Sequence, residues 1–84
     1  MPLTTTEAQE VADLITDISV SQYMLESNDL TTGKRYLHLA RRMEATIALS
    51  DKFGIDLPAL NHCRKKHESY RQRALDLINK EVSQ

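Results

Sequence analysis

Apolar and small residues recur at alternating spacings of three and four along most of this chain. The first set is Ala8, Val11, Ile15, Ile18, Gln22 and Leu25; the second is Tyr36, Ala40, Met43, Ile47 and Ser50; the third is Leu60, Cys63, His67, Tyr70, Ala74 and Leu77. That rhythm is the seam of a helix that packs on other helices. Three seams joined by short turns predict an all-α fold, an antiparallel three-helix bundle with a long C-terminal helix. The expected helices run over about 4–27, 32–53 and 56–82, within a single helical domain spanning 1–84.

The ends of these helices carry their own signals. Thr4-Thr5-Thr6-Glu7 fits a capping box, in which Thr4 accepts from the Glu7 amide and Glu7 reaches back. Gly54 suits the left-handed position that closes the second helix, because glycine has no Cβ to clash there. Asp56 is a good N-cap for the third helix, with Pro58 in its first turn, where a missing N–H costs nothing. On this layout the third helix overruns its neighbours. Leu77, Ile78 and Val82 then have no evident intrachain partner, and they predict the interface of a homo-oligomer, most simply a dimer.

A chain of 84 residues makes one domain with a small core, which needs good packing or subunit association to be stable. The single cysteine, Cys63, excludes an internal disulfide. No apolar run approaches a membrane span, and no basic stretch followed by an apolar one marks a signal peptide, so a cytoplasmic location without membrane contact is expected.

Charge is distributed unevenly. The net charge is −1, yet no Lys or Arg precedes Lys34, so residues 1–33 carry −6 and residues 34–73 carry +6. Either an acidic first helix lies beside basic helices, of its own chain or of a neighbouring subunit, or the chain offers a charged face to a partner.

Candidate chemistry is sparse. Cys63 and His67 share a helix face at i, i+4, but both lie in the apolar stripe with no third ligand, so they read as core residues. Glu10, Asp13 and Asp17 line one face of the first helix and read as solvated surface. No enzyme, metal site or cofactor is expected.

The stretch Thr31-Thr32-Gly33-Lys34-Arg35 is not a Walker loop. It lacks the second glycine, a preceding strand and a hydroxyl after the lysine. It does start a helix, whose free amides and positive dipole end suit an anion. Thr31, Thr32, Lys34 and Arg35, with Tyr23 or Tyr36 to stack on a base, could form an anion or nucleotide site. The alternative is that the threonines only cap the helix. Lys34 and Arg35 are informative, because cations are slightly unfavourable at a helix N-terminus. Over nine residues, Thr32 to Ala40 (TGKRYLHLA) resembles the start of the second helix of small phage proteins that sequester cyclic nucleotides as helical-hairpin oligomers. That resemblance implies a cyclic-nucleotide ligand at the same place; the long third helix here is not part of such hairpins.

A second candidate is Ala48 to His67, whose Gly54 turn and following basic helix have the look of a helix-turn-helix. Asn61, His62, Arg64, Lys65 and Lys66 would face nucleic acid, with Asn61 and Arg64 reading bases and the lysines holding phosphates. The two flanking helices are long for such a unit, and Glu68 would repel phosphates. The leading expectation is a non-enzymatic binding or regulatory protein, of inhibitor or adaptor type. It would present a charged helical face to a macromolecule, foremost a protein. A nucleic-acid binder and an oligomeric binder of an anionic ligand are the alternatives.

Overall fold

The capping box forms as expected. The Glu7 amide donates to Thr4 Oγ1 at 3.1 Å, the Thr4 amide donates to Glu7 Oε1 at 3.1 Å, and helix α1 runs over Thr5–Leu25. The returned backbone hydrogen bond holds the Glu7 carboxyl below the usual carboxylate range. Thr31 caps α2 (Thr32–Phe53), and Gly54 closes it at φ 68°, with its amide on Ser50 O and that of Ile55 on Leu49 O. α3 spans Leu60–Val82. The computed structural model describes residues 2–83, all helix or connection, with no strand among them.

The start of α3 departs from expectation. Asp56 does not cap it: its carboxylate accepts from Ser50 Oγ at 2.6 Å, across the turn that follows α2. The chain then passes Leu57 and Pro58 before the helix begins. Ala59 takes the cap position in the left-handed region at φ 67°, with no side-chain cap bond. Competition for the Asp56 side chain therefore delays the helix by about one turn.

α2 is the central element. α1 and α3 each pack on it, and among the described residues no Cα of α1 lies within 8 Å of one in α3. The bundle is thus open along one side, with extents of 51 × 23 × 20 Å. The buried core is Ala40, Met43, Ala45 and Leu49 of α2 with Cys63 and Ala74 of α3, joined by the polar Ser21 and Thr46. Thr46 Oγ1 satisfies itself on the Arg42 carbonyl at 2.9 Å. The small residues let helices approach closely, which keeps packing dense with few large side chains.

The expected stripe of α1 is corrected at three positions, Ala8, Ile15 and Gln22, all of which are exposed. Ile15 is 50% exposed and Gln22 is exposed, while Leu14 is half-buried and Ser21 is buried. Val11, Ile18 and Leu25 belong to both possible alternations, so the spacing alone does not choose between them. Packing selects the set with Leu14 and Ser21. A second, uncharged line stays at the surface: Ala8, Ala12, Ile15, Ser19 and Gln22.

The end of α3 is also better partnered than its sequence suggested. A Cβ on Gly33 would lie 3.0 Å from Ile78 Cγ1 and 3.1 Å from the Ile78 amide nitrogen, so α3 runs tightly across the start of α2. Leu77 and Ile78 are half-buried within the chain; Val82 is 79% exposed. No described helix is long and apolar enough to cross a membrane.

Candidate functional site

The start of α2 holds the residues expected to bind an anion, and the chain itself supplies one. Glu81, at the end of α3, accepts from the Gly33 amide at 3.2 Å and from Thr31 Oγ1 at 3.0 Å. A carboxylate on the free amides of a first turn is the favourable arrangement for the helix dipole. Thr31 Oγ1 also accepts from the Lys34 amide at 3.3 Å, as an N-cap does.

Arg35 has a different task. Its guanidinium donates to the carbonyls of Leu25, at 3.0 Å, and Ser27, at the end of α1. It thereby satisfies acceptors that a helix C-terminus leaves open, at the end where a cation suits the dipole. Of the six residues expected around an anion, Thr31, Thr32, Lys34 and Arg35 gather at this helix start. Tyr36 turns to Tyr70, ring centroids 5.5 Å apart and 77° between planes, with the Arg73 guanidinium 6.0 Å over its face. Tyr23 is 73% exposed and belongs to another surface.

Ion pairs clasp α2 to α3. The Arg71 Nε donates to both Glu44 oxygens, at 2.8 and 3.1 Å, and its Nη2 adds a further bond. His67 Nδ1 lies 3.3 Å from Glu44 Oε2. Hydrogen bonds from Arg71 hold the Glu44 carboxyl below its usual range against the opposing effect of burial, and His67 adds to the lowering. Further along, Arg64 Nη2 meets Asp51 Oδ1 at 2.7 Å, which lowers the Asp51 pKa and raises that of Arg64.

These contacts redistribute the residues expected to face nucleic acid. Asn61, Lys65 and Lys66 are exposed on α3, but Arg64, the expected base reader, is engaged by Asp51. His62 turns toward an open groove instead.

That groove, of about 750 Å³, lies over α2 between α1 and α3. Leu39, Met43 and Thr46 form its floor. Ser19, Gln22 and Tyr23 stand on the α1 side, and His62, Cys63 and Tyr70 on the α3 side. The turn at Leu57 and Pro58 closes one end. Arg42 reaches across from α2 to donate to Gln22 Oε1. No local pattern signals this groove, since it exists only because the backbones of α1 and α3 stand apart.

The carboxylates of α1 complete the picture. Glu7 is used in its cap, and Asp13 accepts from Gln9 at 2.9 Å. None of the acidic side chains of α1 pairs with a cation among the described residues. Nor do any three His, Cys, Asp or Glu there stand where they could hold a metal ion. No protein-family model, curated protein or solved structure matches the chain.

Proposed function

We propose that the chain is a small non-enzymatic regulatory protein, of inhibitor or adaptor type, that contacts a protein partner in the cytoplasm. The observation that carries this reading is the uncommitted acidic face of α1. Glu10, Asp13 and Asp17 follow at i, i+3 and i+7, share one side of the helix, have no cation among them and make no intrachain ion pair in the described residues. A face of one sign attracts a basic surface, speeds encounter and repels nucleic acid and anionic lipid.

The two alternatives have less support. Glu81 already occupies the amides an anion would use, and Arg35 serves the end of α1. Arg64, the main candidate for base readout, is spent on Asp51. Pairings of Asp51 with Arg64, Glu44 with Arg71 and Gly33 with Ile78 support an antiparallel course for α2 and α3.

The test is capture of a partner from nuclease-treated lysate by the native chain and by the triple variant Glu10→Lys, Asp13→Lys, Asp17→Lys. The native chain should retain a protein whose recovery falls with salt. The variant, folded by circular dichroism, should lose about an order of magnitude of that recovery. Recovery that ignores both the charge reversal and salt, or that disappears with nuclease, would refute the proposal.

A further inference from the structure

We infer that His38 is a pH-sensitive latch beneath α1, and that protonating its imidazole releases α1 from α2 while α3 stays packed. The line His38, Arg42, Ala45 and Leu49, spaced four, three and four, shares one face of α2. α1 packs on this face. Arg42 donates to Gln22, and Ala45 lines a cleft with Leu14 and Asp17. One turn before His38, Arg35 holds the carbonyls of Leu25 and Ser27. His38 therefore lies among the contacts that fasten the second half of α1.

Two features make a charge unfavourable there. His38 is half-buried, and its Nδ1 is buried with no hydrogen-bond partner among the described residues. An imidazolium carries hydrogen on both nitrogens, so protonation leaves a charged donor at that place without an acceptor. The second feature is the sequence around it. Lys34, Arg35, Arg41 and Arg42 stand at i−4, i−3, i+3 and i+4. Every position that adjoins His38 along the helix face thus holds a cation, and like charges at those spacings repel.

The elements packed on α2 supply no counter-ion. From α1, Asp17 lines the cleft beside Arg41, and Glu26 lines the groove beside Arg42. Neither these nor Asp29 of the connecting turn forms an ion pair among the described residues. Ser21, between Asp17 and Glu26 on α1, is buried and uncharged. α3 meets α2 through Gly33, Glu44 and Asp51, which helix periodicity turns well away from His38. Its charged groups are directed elsewhere: His67 and Arg71 to Glu44, Arg73 to Tyr36, Glu81 to Gly33. Burial first, and then Arg41, accordingly hold the His38 pKa below the usual histidine value.

A proton on His38 is held more tightly once α1 lifts and the ring meets water, so falling pH favours the lifted state. The stabilisation from neutral His38 is complete above the unfolded value of about 6.5 and is lost as pH falls below it.

Amide exchange, read residue by residue as protection factors, tests this. Between about pH 7.5 and 5.5, protection in α1 should fall several-fold. The limit is about tenfold, set by the proton uptake of a free imidazole of pKa about 6.5. Core amides of α2 and α3 should stay better protected than those of α1 throughout. The fall should vanish in His38→Leu and survive in His62→Gln and His67→Gln. Equal protection in all three helices, an α1 insensitive to pH, or a fall that persists in His38→Leu would each overturn the inference. Should His38→Leu not fold, His38→Gln takes its place. The ring's own titration by NMR is a second check: its midpoint should lie below 6.5, and a midpoint at or above that value refutes the latch.

Discussion

Arg35 shows how a residue that looks misplaced in the sequence can be well placed in space. A cation in the first turn of a helix opposes that helix's dipole, but here it serves the carbonyl end of the helix before it. The sequence showed the anomaly and not its answer, because nothing local says where a long side chain will reach. Ala59 is the opposite case: an ordinary alanine held at φ 67°. The left-handed region costs an L-residue about 1–2 kcal/mol. Ala59→Gly removes that cost and adds roughly 0.4–1 kcal/mol of unfolded-state entropy. The expected net gain is about 0.5 kcal/mol, a rise of about 2–4 °C in thermal midpoint. An unchanged or lower midpoint would show that Ala59 is not strained.

At the scale of the elements, α2 and α3 are held by one tight crossing, by the Glu44 clasp and by the Asp51–Arg64 pair. Gly33 permits the crossing. Gly33→Ala gains about 1 kcal/mol of helix propensity. It also drives a Cβ to within 3.1 Å of the backbone nitrogen of Ile78. Overpacking of that kind costs about 1–3 kcal/mol. The net expectation is a loss of about 1 kcal/mol, read as a lower denaturant midpoint.

The clasp gives a pH dependence. The Glu44 pKa is lowered by Arg71, so its stabilisation is complete above the unfolded value of about 4.3 and is lost as pH falls through the folded value. Because the pair is about one-third exposed, Glu44→Gln should cost only about 1 kcal/mol at neutral pH. The variant should also have a flatter acid limb than the native chain in melts taken below that pH. His38 adds an earlier phase. Its Nδ1 is buried without a hydrogen-bond partner, and burial, with Arg41, pushes its pKa down. Stability is therefore expected to begin falling as pH drops through about 6.5.

Across the whole molecule, what depends on neighbouring residues was legible and what depends on distant ones was not. The three helices, the Thr4 box and the Gly54 stop follow from local spacing and backbone chemistry. The choice of Leu14 over Ile15 as the packed residue was hidden, because both alternations share Val11, Ile18 and Leu25. The role of Glu81 was hidden for a related reason: it acts on Gly33, 48 residues earlier. The groove was the least legible part, being a space between helices whose backbones stand apart.

The separation of α1 from α3 has a further consequence, for how the chain opens. α2 and α3 hold each other by ion pairs, an aromatic contact and most of the core. α1 packs on α2 alone, buries only Ser21 fully, and is tied by Arg35 at its end and by Arg42 at Gln22. Free energies of local opening follow such differences in burial. By that measure α1 is expected to let go first, hinging on the turn before Thr31 while α2 and α3 stay packed on each other, which amide exchange would read as faster exchange in α1. The molecule has two levels of stability, and the lower one belongs to the helix that carries the acidic face.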